Sequence, residues 1–580
     1  MDPLKKYIPW ALAIFFGVIY LFTPTKMFYW DGVVFAYLCE HGTPHELWHP
    51  HHLIYNIVFD IAYEFVRMHF PNLRALTFLI WMSSIFGALT IYFSHMVFRT
   101  IFNREGLAVA TTSFMGFAFS FWHFSTDANA YVISAFFPVL IAYLLLSMND
   151  AANPKARMVW AAVLFAIGML FHQVVVFFYL VYAFWMLVFR FKDKAKRFNR
   201  LSRILLIILP ALITVFAYVG VGYIFYQYTT FDEYWKWITA YGRQSRWWYG
   251  SEHTGAQSFM TAIGLAHIKL FFYLDYIRFN LLRLRPPIGV DIFKKILVWV
   301  SLITVFLVLV RGIIYLVSAI GRRRFYAALL LLWIIPYFVF FIFFTPMYEF
   351  YRLYYLFPLM VIFAMGLKGF FEKPSFENLD LPIKPNTLSG WVFILLIVFA
   401  FYNYTLGIKP QMSESYNRWL VDAKAFINTT SPDSVMVVPF SRSYSYIADL
   451  VNYFGSQGVL FAEPYEPFVG PIPEIVGPLL PEEGLEKDDI EITRYAWEDV
   501  ELKPGLKPSI EKAYFHDGML KSAPYGWRLF KYRFPDSKEY LEDLVVIPAS
   551  PFVKVIQIGS VKYVQGSRGF LTYDPGDDLQ

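Results

Sequence analysis

Five short stretches of the sequence carry side chains that could do chemistry, and each lies beside an apolar run. The first is Asp31, in Phe28-Tyr29-Trp30-Asp31-Gly32-Val33. A carboxylate wedged among aromatic rings loses hydration, which disfavours its ionised form and strengthens it as a base. An acidic residue there also suits the start of an interfacial helix through Val33–Cys39, where it would cap unpaired N–H groups. The second stretch, Leu47-Trp48-His49-Pro50-His51-His52-Leu53-Ile54-Tyr55, puts three imidazoles within four positions. His49, His51 and His52 could ligate a divalent metal, but His51 and His52 are neighbours and cannot share one helix face. The favoured reading is a groove in which these histidines and Tyr55 line a phosphate or a sugar.

The third stretch is Ser125-Thr126-Asp127-Ala128-Asn129-Ala130-Tyr131. Asp127 stands just before an apolar run among residues that all suit helix caps, so a cap and a substrate contact are equally open to it, with Tyr131 close behind. The fourth, His172-Gln173, interrupts an apolar block running from 158 to 190. A lone imidazole in such a block is ordinarily packed or hydrogen-bonded, and at a helix break it is also placed to bind. The fifth is Tyr348-Glu349-Phe350-Tyr351-Arg352-Leu353-Tyr354-Tyr355. An arginine entering an apolar run is costly unless paired or functional. Arg352 could fork onto a phosphate, with Tyr351 beside it, or pair with Glu349 one turn away.

The elements that must hold these residues are membrane helices. The chain has 580 residues, of which 57% are hydrophobic and only 16% charged, against about a quarter charged in soluble domains. Its apolar blocks approach the ~20 residues that a spanning helix needs. They are too continuous for barrel strands, and helices satisfy the backbone within hydrocarbon. The pattern predicts an α-helical polytopic membrane protein of about eleven spans. These lie near 7–22, 75–99, 107–123, 131–148, two short spans meeting at His172 within 158–190, 203–226, 294–318, 325–344, 353–370 and 388–406. Lys5 and Lys6 precede the first, which lacks a small-residue cleavage site, so it reads as uncleaved with a cytoplasmic N-terminus. The basic loops at 103–104, 155–157, 192–203, 322–324 and 368–384 then fall inside, and all five candidate stretches fall outside.

The expected division is a membrane domain at 1–407 and a soluble extracytoplasmic domain at 408–580, of α/β or α+β type. Residues 411–580 hold 25 of the 44 acidic and 16 of the 50 basic side chains, so an acidic tail follows a basic membrane part. The basic residues cluster beside spans, where the positive-inside rule explains them, and nucleic acid is not an expected partner. Within 227–292, Arg243, Arg246, Lys269, Arg278, Arg283 and Arg285 stand among Trp and Tyr, which suits an anionic lipid headgroup or glycan as well as plain surface anchoring. The one cysteine, Cys39, allows no internal disulfide.

Together these features resemble the GT-C superfamily of integral-membrane glycosyltransferases, which includes the protein mannosyltransferases and the aminoarabinose transferase of lipid A. The resemblance rests on an Asp after the first span, the Asp127…Tyr131 pattern before a later one, the His172-Gln173 break and the late Tyr351-Arg352 cluster. The spacing from Asp31 to His49-Pro50-His51-His52-Leu53-Ile54-Tyr55 is similar to the Asp…His-Pro-Pro-Gly-aromatic-Pro-Leu-Tyr motif of the branch that holds the transmembrane O-mannosyltransferases. Two departures stand out: Gly32 follows Asp31 where several branches have a second acid, and His51-His52 replaces Pro-Gly. The resemblance implies a polyprenyl-phosphate sugar donor and a lipid, glycan or protein acceptor. It makes Asp31 the catalytic residue and puts Arg352, His49, His52 and His172 around the leaving phosphate. Two further readings remain open, a transporter or flippase of a lipid-linked glycan and a glycan polymerase or ligase.

Overall fold

The computed structural model describes residues 3–148, 153–189, 199–240, 256–273, 290–321, 325–346, 348–371 and 385–429. It further describes 434–439, 442–455, 458–464, 512–515, 527–531, 544–548, 554–558, 561–565 and 571–572. The chain divides into two compact units, Met1–Tyr416 and Asn417–Gln580. Residues 408–416 thus fall with the first unit rather than with the tail. The last long helix runs on through a π-helical turn at Asn403–Ile408, and Lys26 N–H donates to the Gln411 carbonyl.

Among the described residues, the regular elements of the first unit are helices. In chain order it contains α1 (Ile8–Phe22), α2 (Trp30–His41), α3 (Tyr55–Arg67), α4 (Ala75–Phe102), α5 (Glu105–Phe117), α6 (Phe119–Ser125), α7 (Tyr131–Leu146) and α8 (Pro154–Phe171). There follow α9 (Tyr179–Val188), α10 (Arg200–Tyr226), α11 (Phe231–Ile238), α12 (Ala256–Phe271), α13 (Val290–Gly321), α14 (Phe325–Phe343), α15 (Leu353–Phe371) and α16 (Pro385–Tyr402). Every expected apolar segment is helical. Among the described residues, seven helices are long and apolar enough to cross a membrane, and α5 with α6, bent by 65°, makes an eighth. This is a multi-pass membrane protein. The segments Ile8–Phe22, Tyr131–Leu146 and Gln173–Val188 are apolar but shorter than the ~20 residues of a full crossing.

The break expected near His172 is present. α8 ends at Phe171, His172 is extended (φ −159°, ψ 124°), and a 3-10 turn at Gln173–Phe178 leads into α9. α3 buries Tyr55, Phe59 and Tyr63 at helical spacing and exposes Ile61 and Phe65, as an amphipathic helix at a lipid boundary would. The chain order alternates direction, so one end of the bundle collects the end of α1, α2, the start of α4, the end of α6, the start of α7, the end of α8, the end of α14 and the start of α15. All five candidate stretches belong to that end. Much of the basic loops at 192–203, 322–324 and 368–384, together with Arg243, Arg246, Arg278, Arg283 and Arg285, lies outside the described residues.

The second unit pairs helices Arg418–Thr429 and Arg442–Phe454 with two four-stranded sheets. In the first sheet Ser434–Pro439 lies parallel to both Gly458–Pro464 and Lys512–Phe515, and Gly458–Pro464 is antiparallel to Trp527–Lys531. The second sheet, from Leu544–Pro548 to Leu571–Thr572, is an antiparallel meander. Residues 465–511, whose first part is rich in Pro and Glu, lie outside the described residues.

Candidate active site

Asp31 lies in the first turn of α2 but does not cap it. The N-cap residue is Tyr29, with no side-chain cap of its own. Asp31 Oδ2 instead accepts a hydrogen bond from the Tyr131 hydroxyl at 2.9 Å, across 100 residues of sequence. The free N–H at the start of α2 is taken by Asp127, whose Oδ2 accepts from Tyr29 N–H at 2.8 Å. Asn129, not Asp127, caps α7: its Oδ1 accepts from the N–H groups of Tyr131 and Val132 at 2.9 and 3.1 Å. Its Nδ2 donates to the carbonyls of Phe124 and Asp127. Among the Ser, Thr, Asp and Asn of that loop, Asn129 therefore serves its own helix and Asp127 serves another.

This docking explains Gly32. A Cβ at that position would stand 1.9 Å from the Ala128 carbonyl oxygen, so the loop before α7 can press on α2 only where a side chain is missing. A second acidic side chain at this position would have no room. Burial pushes the Asp127 carboxyl well above the usual carboxylate range. The N–H groups of Tyr29 and Ala128 oppose that rise, and the nearby charge of Asp31 adds to it.

The histidine motif is a turn, not a helix. His52 N–H donates to the His49 carbonyl at 3.0 Å, Gln173 N–H to the His51 carbonyl at 3.1 Å, and Ile54 N–H to the Leu170 carbonyl at 3.2 Å. Hydroxyls of Tyr218 and Tyr226 on α10 donate to the carbonyls of Pro50 and Trp48. The turn is thereby bolted to the break after α8. The His52 and His172 rings meet edge to face with centroids 4.4 Å apart. His49 stacks on His52 at 5.8 Å and lies 5.7 Å from His51, and Tyr55 lies 6.3 Å from His52. Burial lowers the pKa of His51 to about 4 and that of His52 well below the usual imidazole value, so both are neutral near pH 7. Among the described residues no group of three or more His, Cys, Asp or Glu is arranged to hold a metal ion.

His172 connects this turn to the carboxylate. Its ring is 5.6 Å from Tyr131 and 5.5 Å from Tyr354. Tyr351 and Phe350 close the other side, at 5.5 and 4.2 Å from the Tyr131 ring. Asp31, Asp127, Tyr131, His49, His51, His52, Tyr55, His172 and Tyr351 thus form one contiguous cluster.

Arg352 borders the cluster in a different role from the one expected. It is almost fully buried, and its two terminal nitrogens donate to four backbone carbonyls. Nη1 reaches Thr345 (3.3 Å) and Tyr348 (2.6 Å), and Nη2 reaches Phe341 (3.3 Å) and Pro346 (2.6 Å). A guanidinium so engaged has no terminal N–H left for a bidentate phosphate contact. What it holds is a tight turn in which Thr345 has φ of 50°, a conformation strained for a β-branched residue. Arg352 therefore fixes the strand leading to Phe350 and Tyr351. The sequence had singled out neither Phe350 nor Asn129. Asn129 carried a usable signal, as an Asn two residues before a helix, while nothing local marks which aromatic of the late cluster faces inward.

No protein-family model matches the chain, and no curated protein matches it. Solved structures do. The apo oligosaccharyltransferase of Archaeoglobus fulgidus aligns with a TM-score of 0.48 and 15% identity, over 78% of this chain and 65% of that one. ArnT from Cupriavidus metallidurans bound to undecaprenyl phosphate aligns with a TM-score of 0.46 and 13% identity, over 80% and 86% of the two chains. This chain therefore spans less than two thirds of the archaeal protein's length.

Proposed function

We propose that this protein is an inverting glycosyltransferase of GT-C type that moves a sugar from a polyprenyl-phosphate donor to a lipid, glycan or protein acceptor on the outer face of the membrane. The observation that carries this reading is the Asp31 carboxylate, hydrogen-bonded by Tyr131 and walled by aromatic and neutral imidazole rings at one end of an apolar bundle. An acceptor hydroxyl attacks the anomeric carbon, Asp31 takes its proton, and the bond from that carbon to the lipid phosphate oxygen breaks. The polyprenyl phosphate leaves with the bonding electron pair. The Tyr131 hydroxyl orients the Asp31 oxygen and tempers its basicity. The cationic charge of Arg352, fixed by carbonyls behind Tyr351, stabilises the departing phosphate through space rather than by direct contact.

An apolar cavity suits the isoprenoid. It is lined by Leu145, Phe178, Trp185, Leu330, Trp333 and Phe357 among others, with Tyr326 at its edge. The Trp333 indole N–H donates to the Tyr354 carbonyl at 2.8 Å, and the Tyr354 ring touches His172, so the Trp333 edge of the cavity lies one aromatic layer from the cluster while its far part extends past Ile101, Leu146 and Tyr326 toward the other end of the bundle. In this reading the N-terminus is cytoplasmic and the C-terminal domain extracytoplasmic.

The test is transfer by purified protein from labelled polyprenyl-phosphate sugars. Asp31→Asn keeps the Tyr131 contact but loses the base, and transfer should fall about 10²–10⁴-fold, the usual range for general-base loss, with expression and thermal stability unchanged. Transfer at the wild-type rate by this variant defeats the mechanism.

A further inference from the structure

Within the cluster, Tyr55 Oη, His52 Nδ1, His172 Nε2 and Asp127 Oδ1 are buried polar atoms with no hydrogen-bond partner. Their side chains are more than nine-tenths buried. Folded proteins leave few such atoms unmatched, because each is stripped of water without compensation. Four on neighbouring side chains call for an occupant. His52 touches both His172 and Tyr55, and the Tyr55 hydroxyl feels the charges of Asp127 and Asp31.

The donor and acceptor pattern decides what that occupant is. His172 Nδ1 accepts from Val174 N–H at 3.2 Å, so its proton sits on Nε2, which is a donor. His52 donates from its other ring nitrogen to the Phe171 carbonyl, so its Nδ1 is a bare lone pair. Asp127 Oδ2 is engaged by Tyr29 N–H, and burial favours the protonated carboxyl, so Oδ1 can donate as a hydroxyl as well as accept. The Tyr55 hydroxyl can do either. A phosphate offers only acceptors and would face the His52 lone pair. None of the four side chains is a cation. Sugar hydroxyls donate and accept, and adjacent hydroxyls on one ring match an alternating set of this kind.

We infer that Tyr55, His52, His172 and Asp127 form a neutral hydroxyl-reading subsite for the sugar ring of the donor, next to Asp31 and separate from the place of the lipid phosphate. This deepens the proposed function and rests on it. The experiment measures binding of full-length purified protein to undecaprenyl phosphate and to its glucose, galactose and mannose esters. The wild type should bind one ester more tightly than the sugar-free lipid. Tyr55→Phe removes a single hydroxyl and should weaken that ester about tenfold while leaving undecaprenyl phosphate affinity unchanged. Its thermal stability should stay level or rise, because an unmatched buried group has gone. His172→Gln should show the same split between the two ligands.

Equal loss for both ligands, or no loss for either, overturns the subsite. So does a wild type that binds undecaprenyl phosphate as tightly as every ester, although the proposed function would survive it. Failure of the wild type to bind any of these lipids overturns the proposed function itself.

Discussion

Gly32 and Arg352 are the two residues whose chemistry the fold turns to an unexpected use. At Gly32 the missing side chain is the functional property, because the Ala128 carbonyl occupies the space a methyl would need. Gly32→Ala should separate the loop before α7 from α2 and carry Asp31 away from Tyr131. The expected result is loss of most transfer activity, together with a fall in melting temperature corresponding to about 1–3 kcal/mol, the usual cost of overpacking. An active Gly32→Ala protein with unchanged melting temperature would show that the close approach is not required. Arg352 is held by geometry rather than charge alone. Arg352→Lys keeps the cation but offers three donors from one point, which cannot serve carbonyls spread over Phe341, Thr345, Pro346 and Tyr348. Melting temperature should drop for Lys as well as for Ala. Full stability in the Lys variant would return the arginine to a purely electrostatic role.

α2 behaves as a pinned lever. At its far end Glu40 accepts from Ala75 N–H at 2.7 Å and is bridged by Arg74 at 2.9 Å, which ties it to the start of α4. At its near end Asp127 supplies the missing cap. A cap of this kind is worth about 0.5–2 kcal/mol. In Asp127→Ala, hydrogen exchange of the first α2 amides should accelerate by roughly 2- to 30-fold, the same free energy expressed as a rate. Asp127→Asn keeps an acceptor oxygen and should restore most of the protection. Exchange that is equal in all three proteins would mean that α2 is positioned without Asp127. The turn at His49–His52 is a second such device, since its backbone is bonded to the residues around the break after α8, so the histidines and His172 move as one body.

The molecule buries His51, His52 and His172 at one end of the bundle, and this gives it a pH signature. The His51 pKa falls to about 4 when folded, against about 6.5 in an unfolded chain. Between these values the unfolded state binds more protons, so stability falls as pH drops below about 6.5 and the loss is complete near the folded value. His52 shifts in the same direction. The melting temperature of the purified protein should therefore decline from pH 7 to pH 5, and His51→Gln should flatten part of the decline. A melting temperature that is independent of pH over this interval would mean the imidazoles are solvated rather than buried.

What the sequence determined by itself is the helical, membrane-crossing character, because apolar length and charge spacing are local quantities that the bilayer reads directly. It also determined the place of the break at His172, the short list of residues able to do chemistry, and the end of the bundle at which they gather. Which partner each would find was settled only in three dimensions. Asp127 looked like a cap for its own helix and became one for a helix 98 residues away. Asp31 looked like a cap and became the acceptor of a tyrosine hydroxyl. Arg352 looked like an anion ligand and became the clamp of a strained turn. Capping types, carboxylates and guanidinium groups each have several ways to be satisfied, and the choice among them depends on which backbone groups packing brings within 3 Å, a distance that no spacing along the chain encodes.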